Sequence, residues 1–307
     1  MSTATAPGGE APALAPEALL RRVELRIGRR LDGVLQGERR GRRPGPGGDP
    51  TVTRAYAPGD DVRWIDWPLT ARTGEPTVRV PELDPVLTAW ALVDRSPSMD
   101  FGSAVRTKRA LASEALAGLG AVLRRRGDRL GVVATASGGL DLVRPPVGDR
   151  RGLVATLAAV EGVSAPPGSG RTDLARALTT LGRVARHRGA VVVISDLPVS
   201  ADVERALGVL ARRHLVIALE VRDPRERELP SLGPVRLRDL ETGATRLVDT
   251  ADPRFRARLA EAVADGDAAR AAMLTRVRAR HVVLDTGGDW VLALARGLGA
   301  VRGGAAA

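Results

Sequence analysis

The sequence predicts an α/β protein with a doubly wound, mostly parallel sheet, preceded by a small β-rich subdomain. From Leu87 onward, short apolar runs alternate with helical stretches, and the clearest run is Ala190–Ser195. Continuous apolar strands of this kind are typical of parallel sheets covered by helices on both faces. Aromatic residues make up only 2% of the chain, so the core must consist mainly of Val, Leu, Ile and Ala.

Hydrophobic periodicity and turn residues define the elements in order. Residues 1–16, rich in Ala, Pro and Gly, predict a disordered leader, and 16–37 predict an amphipathic helix docked on the body of the protein. A Gly, Pro and Arg linker at 41–50 leads to 51–86, which predict two short strands around a turn-rich centre. Later strands are predicted at 87–93, 130–136, 140–144, 190–195, 215–221, 235–240 and 281–285, and helices at 104–126, 149–160, 172–188, 201–213, 253–280 and 289–298.

These elements divide the chain into the leader, a helix with the small β-rich subdomain at 17–86, and the α/β domain at 87–300. The absence of cysteine excludes disulfides, zinc–thiolate sites and thiol nucleophiles. The N-terminus lacks the features of a signal peptide, and no stretch approaches the roughly 18 uncharged apolar residues of a membrane span. We therefore expect a cytoplasmic protein without an integral membrane span, although the basic face of the first helix leaves peripheral association open.

The formal net charge of +11 raises the question of a nucleic-acid partner. However, Lys108 is the only lysine among 47 basic residues, a skew typical of GC-rich coding bias rather than of a binding patch. The charge is also spread along the chain, and its densest cluster is Arg39, Arg40, Arg42 and Arg43. We therefore predict a solvated basic surface and no nucleic-acid partner, with the stem of Lys108 packed on a helix surface.

Short oxygen-bearing side chains follow the predicted strands. Asp94, Ser96 and Ser98 come after the first strand, Asp196 follows Ala190–Ser195, and Thr172 enters a helix. In an open parallel sheet, the carboxyl ends of the strands meet at one edge. Mg²⁺ requires oxygen ligands at about 2.1 Å and retains several waters. The three hydroxyls are therefore predicted as direct ligands.

In the same prediction, Asp94 binds the metal directly or through water, and Asp196 holds a metal-bound water. Such a site has few protein charges and an open position that a partner's carboxylate can complete. The alternative is that Asp94 and Ser96 cap the next helix.

This three-part pattern resembles the metal-ion-dependent adhesion site of von Willebrand factor type A domains. The matching segments are Asp94-Arg95-Ser96-Pro97-Ser98, then Arg171-Thr172-Asp173, then Ile194-Ser195-Asp196. The resemblance implies a Rossmann-like fold that binds Mg²⁺, or another divalent cation such as Mn²⁺ or Ca²⁺. It also implies a protein partner that supplies an acidic residue to the metal.

A longer motif resembles the bacterial family catalogued as "domain of unknown function 58". Its matching residues are Tyr56, Pro58, Gly59, Asp60, Asp61, Arg63, Ile65, Asp66, Trp67, Ala71 and Arg72. Many members begin with two membrane helices, and no such segment is evident here, so membrane anchorage is not expected. The resemblance implies an adaptor that works with a MoxR-type AAA ATPase in chaperone-like assembly.

The same segment can also be interpreted from its residue types. Asp60, Asp61 and Asp66 alternate with Arg63 and, later, Arg72, which offers internal ion pairs. Crowding of Tyr56, Trp64 and Trp67 predicts a small local core, or alternatively an interface anchor. We favour a structural role for this segment, held by ion pairs and tryptophan packing, over a role as a binding surface for the ATPase or a client protein.

The sequence lacks the sets of residues that catalysis needs. It contains no Walker loop and no G-x-S-x-G elbow, and His187, His214 and His281 are scattered. We therefore predict a non-enzymatic, metal-dependent protein-binding adaptor. One alternative is a metal-dependent phosphoesterase, for which Asp100 and Asp173 are the spare acids near the motif. A second alternative is a nucleic-acid-binding protein.

Overall fold

The computed structural model describes residues 14–39, 51–81, 86–136, 141–165 and 172–299. The chain divides into a larger unit, Met1–Asp32 with Leu87–Ala307, and a smaller unit, Gly33–Val86. Residues 1–13 of the predicted leader and the 41–50 linker lie outside the described residues.

Helices and strands alternate along the described residues of the chain. The helices are α1 (Pro16–Arg39), α2 (Trp67–Thr73), α3 (Lys108–Arg125), α4 (Arg150–Glu161), α5 (Leu174–Val184), α6 (Ala201–Ala211), α7 (Pro224–Arg227), α8 (Pro253–Arg276) and α9 (Trp290–Gly299). The strands are β1 (Thr51–Ala55), β2 (Thr77–Pro81), β3 (Thr88–Asp94), β4 (Arg129–Thr135), β5 (Leu142–Val147), β6 (Ala190–Ser195), β7 (Leu215–Arg222), β8 (Pro234–Arg238), β9 (Thr245–Asp249) and β10 (Arg280–Asp285). Turns of 3₁₀ helix span Val62–Trp64 and Pro97–Asp100.

The central sheet has six strands in the order β10-β7-β6-β3-β4-β5. The pairs among β10, β7, β6, β3 and β4 are parallel, and β5 joins β4 as an antiparallel edge strand. The chain runs outward from β3 through β4 to β5 and then returns to β6 on the other side of β3. This reversal places the switch point between β3 and β6, where ligands bind in doubly wound sheets. The predicted doubly wound, mostly parallel α/β fold is confirmed.

Helices cover both faces of this sheet. One apolar cluster joins the sheet to α1, α3, α4 and α9, and it includes the fully buried Leu116 and Trp290. The other cluster joins the opposite face to α5, α6 and α8, and it includes Leu178 and Met273. The branched and small side chains predicted from the composition fill both layers.

Helix α1 docks on the larger unit through one apolar face. Its residues Leu19, Leu20, Val23 and Ile27 are buried in the same cluster as α3 and α9. The predicted docking helix is therefore confirmed. The sequence grouped this helix with the small subdomain at 17–86, whereas the structure assigns the chain up to Asp32 to the larger unit, because this apolar face completes the larger core.

Replacing Leu20 by Ala should test this docking. The side chain is 0% exposed, so its truncation leaves a cavity and is expected to lower the free energy of unfolding by about 2–5 kcal/mol. Leu25→Ala, at a position 55% exposed on the same helix, is the matched control and should cost less than about 0.5 kcal/mol. Urea unfolding measures both values, and equal losses would contradict the docked arrangement.

Several helix ends differ from the predicted ones. Helix α3 begins at Lys108 rather than at residue 104, because the Thr107 hydroxyl accepts a hydrogen bond from the Ala110 amide and caps the helix there. Helix α5 begins at Leu174, after the cap Asp173, and ends at Val184 rather than at residue 188. Helix α8 ends at Arg276 rather than near residue 280, since Arg278 adopts a left-handed backbone with φ of 55°.

The predicted strand at 235–240 proves to be half of a hairpin. Strand β8 pairs antiparallel with β9 in a two-stranded sheet separate from the central one. Strand β9 was not predicted, because most of its residues are exposed and it carries no continuous apolar run. The hairpin therefore lacks the burial that makes the central strands recognisable.

In the smaller unit, β1 and β2 pair as an antiparallel ribbon, which confirms the two predicted strands. Between them lie the Val62–Trp64 turn and α2, which ends at Gly74 in the left-handed conformation. Across the described ranges of the chain, no helix combines the length and apolar character needed to cross a membrane.

Candidate metal centre

The predicted ligands lie around the switch point of the sheet. Asp94 is the last residue of β3, Ser96 is the N-cap of the following 3₁₀ turn, and Ser98 lies within that turn. Asp196 directly follows β6, whose residue Ile194 pairs with Val93 of β3. The two loops are therefore neighbours because their strands are neighbours.

Asp94 is the buried centre of this site and is 3% exposed. Its Oδ1 accepts a hydrogen bond from the Ser96 amide at 2.9 Å, and its Oδ2 accepts one from the Ser195 hydroxyl at 2.6 Å. Burial, together with the nearby charge of Asp196, raises the pKa of Asp94 to about 6. The carboxylate thus connects the loop after β3 to the end of β6. Its two hydrogen bonds only partly offset the cost of burying its negative charge.

The hydroxyl groups are oriented by neighbouring atoms. The Ser96 and Ser98 hydroxyl oxygens are 3.0 Å apart, and the Thr172 hydroxyl donates to the carbonyl of Ala136 at 2.7 Å. A hydroxyl whose hydrogen is engaged elsewhere presents its lone pairs to a cation. Ser96 stands at the N-cap of the 3₁₀ turn without a side-chain capping bond, which disfavours the alternative capping role for this residue.

The loop that carries Asp196 is held by specific contacts. The next residue, Leu197, is buried with a left-handed φ of 53°, which is uncommon for a residue other than glycine. Its amide donates to the Ser195 hydroxyl at 3.0 Å, and its carbonyl accepts from Arg270 Nε at 3.0 Å. Such strained backbone is frequent at functional sites, where surrounding contacts stabilise it.

Glu241, at the tip of the β8–β9 hairpin, connects two of the candidate ligand loops. Its Oε1 accepts from the Ser98 amide at 3.0 Å, and its Oε2 accepts from the Thr172 amide at 3.4 Å. The carboxylate thereby brings Thr172 beside the serines. Glu241 could not be predicted from the sequence, because no local pattern relates a residue in this hairpin to loops at the sheet edge.

Lys108 contributes the positive charge of the site, which corrects the prediction that its stem packs on a helix surface. The side chain is only 1% exposed, and its Nζ lies 3.1 Å from Asp196 Oδ2 and 2.6 Å from Glu226 Oε1. Burial lowers the pKa of Lys108, but these two carboxylates raise it by more, so the ammonium stays charged. Lys108 is the first residue of α3, and the helical periodicity of the sequence gives no indication that it forms an ion pair.

The donor set and the charge balance of the site fit a divalent cation. Lys108 pairs with Asp196 and Glu226, and the charge of Asp196 in turn acts on the buried Asp94, so these three carboxylates carry more negative charge than the one ammonium group neutralises when all are ionised. Hard oxygen donors of this kind suit Mg²⁺, Mn²⁺ or Ca²⁺. Within the described ranges, His, Cys, Asp and Glu side chains do not gather in a group of three that could hold a metal, so the hydroxyls are needed.

The other polar residues near the motif have structural partners. Arg95, 0% exposed, donates to Glu161 Oε2 at 2.9 Å and to the Ser113 hydroxyl at 3.0 Å. Asp100 pairs with Arg109, and Asp173 caps α5 by accepting from the Arg176 amide at 2.9 Å. The two spare acids of the phosphoesterase alternative are therefore engaged in local contacts.

In the smaller unit, the acidic residues of the long motif cap turns and form ion pairs. Asp60 forms a bidentate ion pair with Arg54, with both N–O distances at 2.7 Å, rather than with Arg63 or Arg72. The Arg54 guanidinium lowers the pKa of Asp60. Asp61 pairs with Arg63 at 2.6 Å and caps the 3₁₀ turn. Asp66 caps α2 by accepting from the Leu69 amide at 3.1 Å.

The tryptophans of this segment correct a second prediction. Trp64 is 51% exposed and Trp67 is 66% exposed, so neither fills the local core that their crowding suggested. Arg72 is also exposed. The caps and ion pairs are structural, whereas the exposed indole rings offer the kind of side chain that anchors interfaces.

Comparison with known proteins places these features in a family. An uncharacterized protein of Mycobacterium tuberculosis (strain ATCC 25618 / H37Rv) is 40% identical over 290 residues, which cover 94% of this chain and 91% of that protein. Among solved structures, the conserved hypothetical protein BatB from Bacteroides thetaiotaomicron has a TM-score of 0.47 and 16% identity, covering 71% of this chain and 99% of that one. A von Willebrand factor type A protein from Catenulispora acidiphila has a TM-score of 0.33 and 20% identity, covering 48% and 35%.

The structural similarities are too distant to assign a family, so membership follows from the sequence matches. The family model described as "Protein of unknown function DUF58" matches residues 52–269, a span that holds the long motif, the candidate ligands and Glu241. The chain therefore belongs to the DUF58 family of proteins of unknown function.

Proposed function

We propose that this protein is a non-enzymatic adaptor whose binding to a protein partner depends on a divalent cation at the β3–β6 edge. The observation that carries the proposal is the buried Asp94 carboxylate, surrounded by hydroxyls from two loops and by more negative than positive charge. Asp94, Ser96, Ser98, Thr172 and Asp196 would hold Mg²⁺, or another divalent cation such as Mn²⁺ or Ca²⁺.

The protein residues perform separate tasks in this proposal. When bound, the cation offers an open coordination position to a carboxylate of the partner. Ser96 and Ser98 are fixed by the turn after β3, so their hydroxyls need little rearrangement to serve as ligands. Lys108 holds Asp196 in place at 3.1 Å and offsets part of its charge.

The absence of enzymatic activity is part of the proposal. Two-metal phosphoester chemistry needs additional carboxylates at the site. The nearest spare acids, Asp100 and Asp173, are occupied by Arg109 and by the cap of α5. We further propose a MoxR-type AAA ATPase as the partner, on the strength of the family resemblance. The exposed Trp64 and Trp67 would then provide a second contact surface.

Capture of the MoxR-type ATPase from the same organism by the immobilised full-length protein tests the proposal. We expect recovery in Mg²⁺ to exceed recovery in EDTA by about tenfold or more, as a coupling free energy of about 1.4 kcal/mol or larger would give. Asp94→Asn should reduce the Mg²⁺ value to the EDTA value. Asp265→Asn, an exposed position on α8, is the matched control and should behave like the wild type.

Equal recovery in Mg²⁺ and EDTA, with no effect of Asp94→Asn, would contradict a metal-dependent adaptor. Turnover of a panel of phosphate esters that Asp94→Asn abolishes would favour the phosphoesterase alternative instead.

A further inference from the structure

The β8–β9 hairpin places an acidic side chain, that of Glu241, beside the candidate metal site. Its connecting turn is organised by Asp239, whose Oδ1 accepts from the amides of Glu241 at 2.9 Å and Thr242 at 3.2 Å. Gly243 closes the turn with a φ of 74° and donates to the Asp239 carbonyl at 2.8 Å. The turn is therefore well defined, and it presents Glu241 in one direction.

The Glu241 carboxylate lies against the two loops that carry Ser98 and Thr172. One oxygen is 3.0 Å from the Ser98 amide and the other is 3.4 Å from the Thr172 amide. These two residues also supply two of the three candidate hydroxyl ligands. A carboxylate at this position therefore faces the same loops that would surround the cation.

The electrostatics of the site make this contact dependent on positive charge. The negative charge of the site already exceeds the positive charge of Lys108, because Asp94, Asp196 and Glu226 all contribute to it. Glu241 adds a further negative charge. Two backbone amides stabilise a carboxylate, but they supply partial charges only. A divalent cation at the site would supply the missing attraction, so hairpin closure and cation binding should favour each other.

The hairpin is also placed so that it can move. It forms its own two-stranded sheet, and a cleft of about 290 Å³ beside it is lined by Leu237 of the hairpin and by Phe101, Leu229 and Leu259 of the body of the unit. Leu237 and Leu247 of the hairpin are 38% and 72% exposed, so little apolar packing holds it closed. Segments with few buried contacts open most readily.

We propose that Glu241 is an internal ligand that occupies the position of the partner's acidic residue, so that the β8–β9 hairpin must open before an acidic partner binds. The inference rests on the proposed metal site and adds its regulation. The hairpin competes with the partner, and the partner that displaces it presents a carboxylate side chain.

Glu241→Gln tests this, because it removes the charge and keeps the size of the side chain. Glu228→Gln, at an exposed position four residues beyond Pro224, is the charge-matched control. The first probe is Mn²⁺ alone. We expect water-proton relaxation by the bound ion to increase in Glu241→Gln, because water replaces the carboxylate, and to stay at the wild-type value in Glu228→Gln.

The second probe is a fluorescent hexaglutamate peptide in Mg²⁺. Glu241→Gln should bind it about tenfold more tightly than the wild type, which corresponds to a hairpin that is open in about one molecule in ten. Glu228→Gln should change the affinity less than about twofold, since the charge of an exposed side chain is screened by salt. In the wild type, Mg²⁺ should also slow hydrogen exchange of the 234–249 amides, a measurement that needs no variant.

The outcomes separate the two proposals. If the wild type binds no Mn²⁺, both the metal site and the internal ligand are wrong. If it binds Mn²⁺ but Glu241→Gln matches Glu228→Gln in relaxation and in peptide affinity, the internal ligand is wrong and the metal site stands.

Discussion

Asp94→Asn is expected to stabilise the metal-free protein and, at the same time, to abolish its response to Mg²⁺. The side chain is 3% exposed, and burial together with Asp196 raises its pKa from the ordinary 3.8 to about 6. Between those two values the folded state binds the proton more tightly than the unfolded state, so the free energy of unfolding falls as pH rises. Above pH 6 the ionised group destabilises the fold by about 3 kcal/mol.

Asparagine removes this cost and retains a polar group for the Ser96 amide and the Ser195 hydroxyl. In EDTA at pH 7.5, urea unfolding should therefore give Asp94→Asn a higher free energy of unfolding, by up to about 3 kcal/mol. The difference should shrink through the pH range from 6 to 3.8 and vanish below it. Asp265→Asn, exposed on α8, should show neither the gain nor the pH dependence.

Mg²⁺ should remove most of this difference between the two proteins. A ligand at 100 times its Kd stabilises the folded state by about 2.7 kcal/mol, and the wild type should gain this amount. Asp94→Asn should gain nothing, because the one buried carboxylate of the site is gone. A variant that is less stable than the wild type in EDTA, or that still responds to Mg²⁺, would contradict this account of the site.

The residues that could be predicted from the sequence are those attached to strand ends. Asp94, Ser96, Ser98 and Asp196 lie together because β3 and β6 are adjacent parallel strands, and the alternation of strands and helices predicts that the ends of parallel strands share one edge of the sheet. The position of Thr172 could be predicted because the helix that follows it begins at the same edge of the sheet. Buried, continuous apolar strands therefore predict both the fold and the part of the site built on it.

The residues that could not be predicted depend on contacts between distant segments. Glu241 is 143 residues from Ser98, and it lies in an exposed hairpin whose second strand has no apolar run. Lys108 reaches carboxylates 88 and 118 residues away, which helical periodicity alone does not reveal. Aromatic crowding also failed as a signal, because Trp64 and Trp67 lie on the outside of a unit held by caps and ion pairs.

Lys108→Met should have the opposite effect to Asp94→Asn and destabilise the metal-free protein. Removing one partner of a buried ion pair costs about 3–5 kcal/mol, and the lower end applies here because the side chains of Asp196 and Glu226 are 27% and 37% exposed. Arg125→Met, at the exposed end of the same helix, is the matched control and should cost less than about 1 kcal/mol. Urea unfolding in EDTA measures both losses.

The response to Mg²⁺ decides whether this loss reflects charge balance or packing. With Lys108 replaced, a bound cation would be the main positive charge beside Asp196 and Glu226, so Mg²⁺ should stabilise Lys108→Met more than the wild type. Asp94→Asn should likewise recover part of the loss in the double variant, because the two substitutions change the same excess of negative charge in opposite directions. A loss that neither Mg²⁺ nor Asp94→Asn reduces would mean that Lys108 acts only through its packing, and the charge argument for a cation at this edge would then fail.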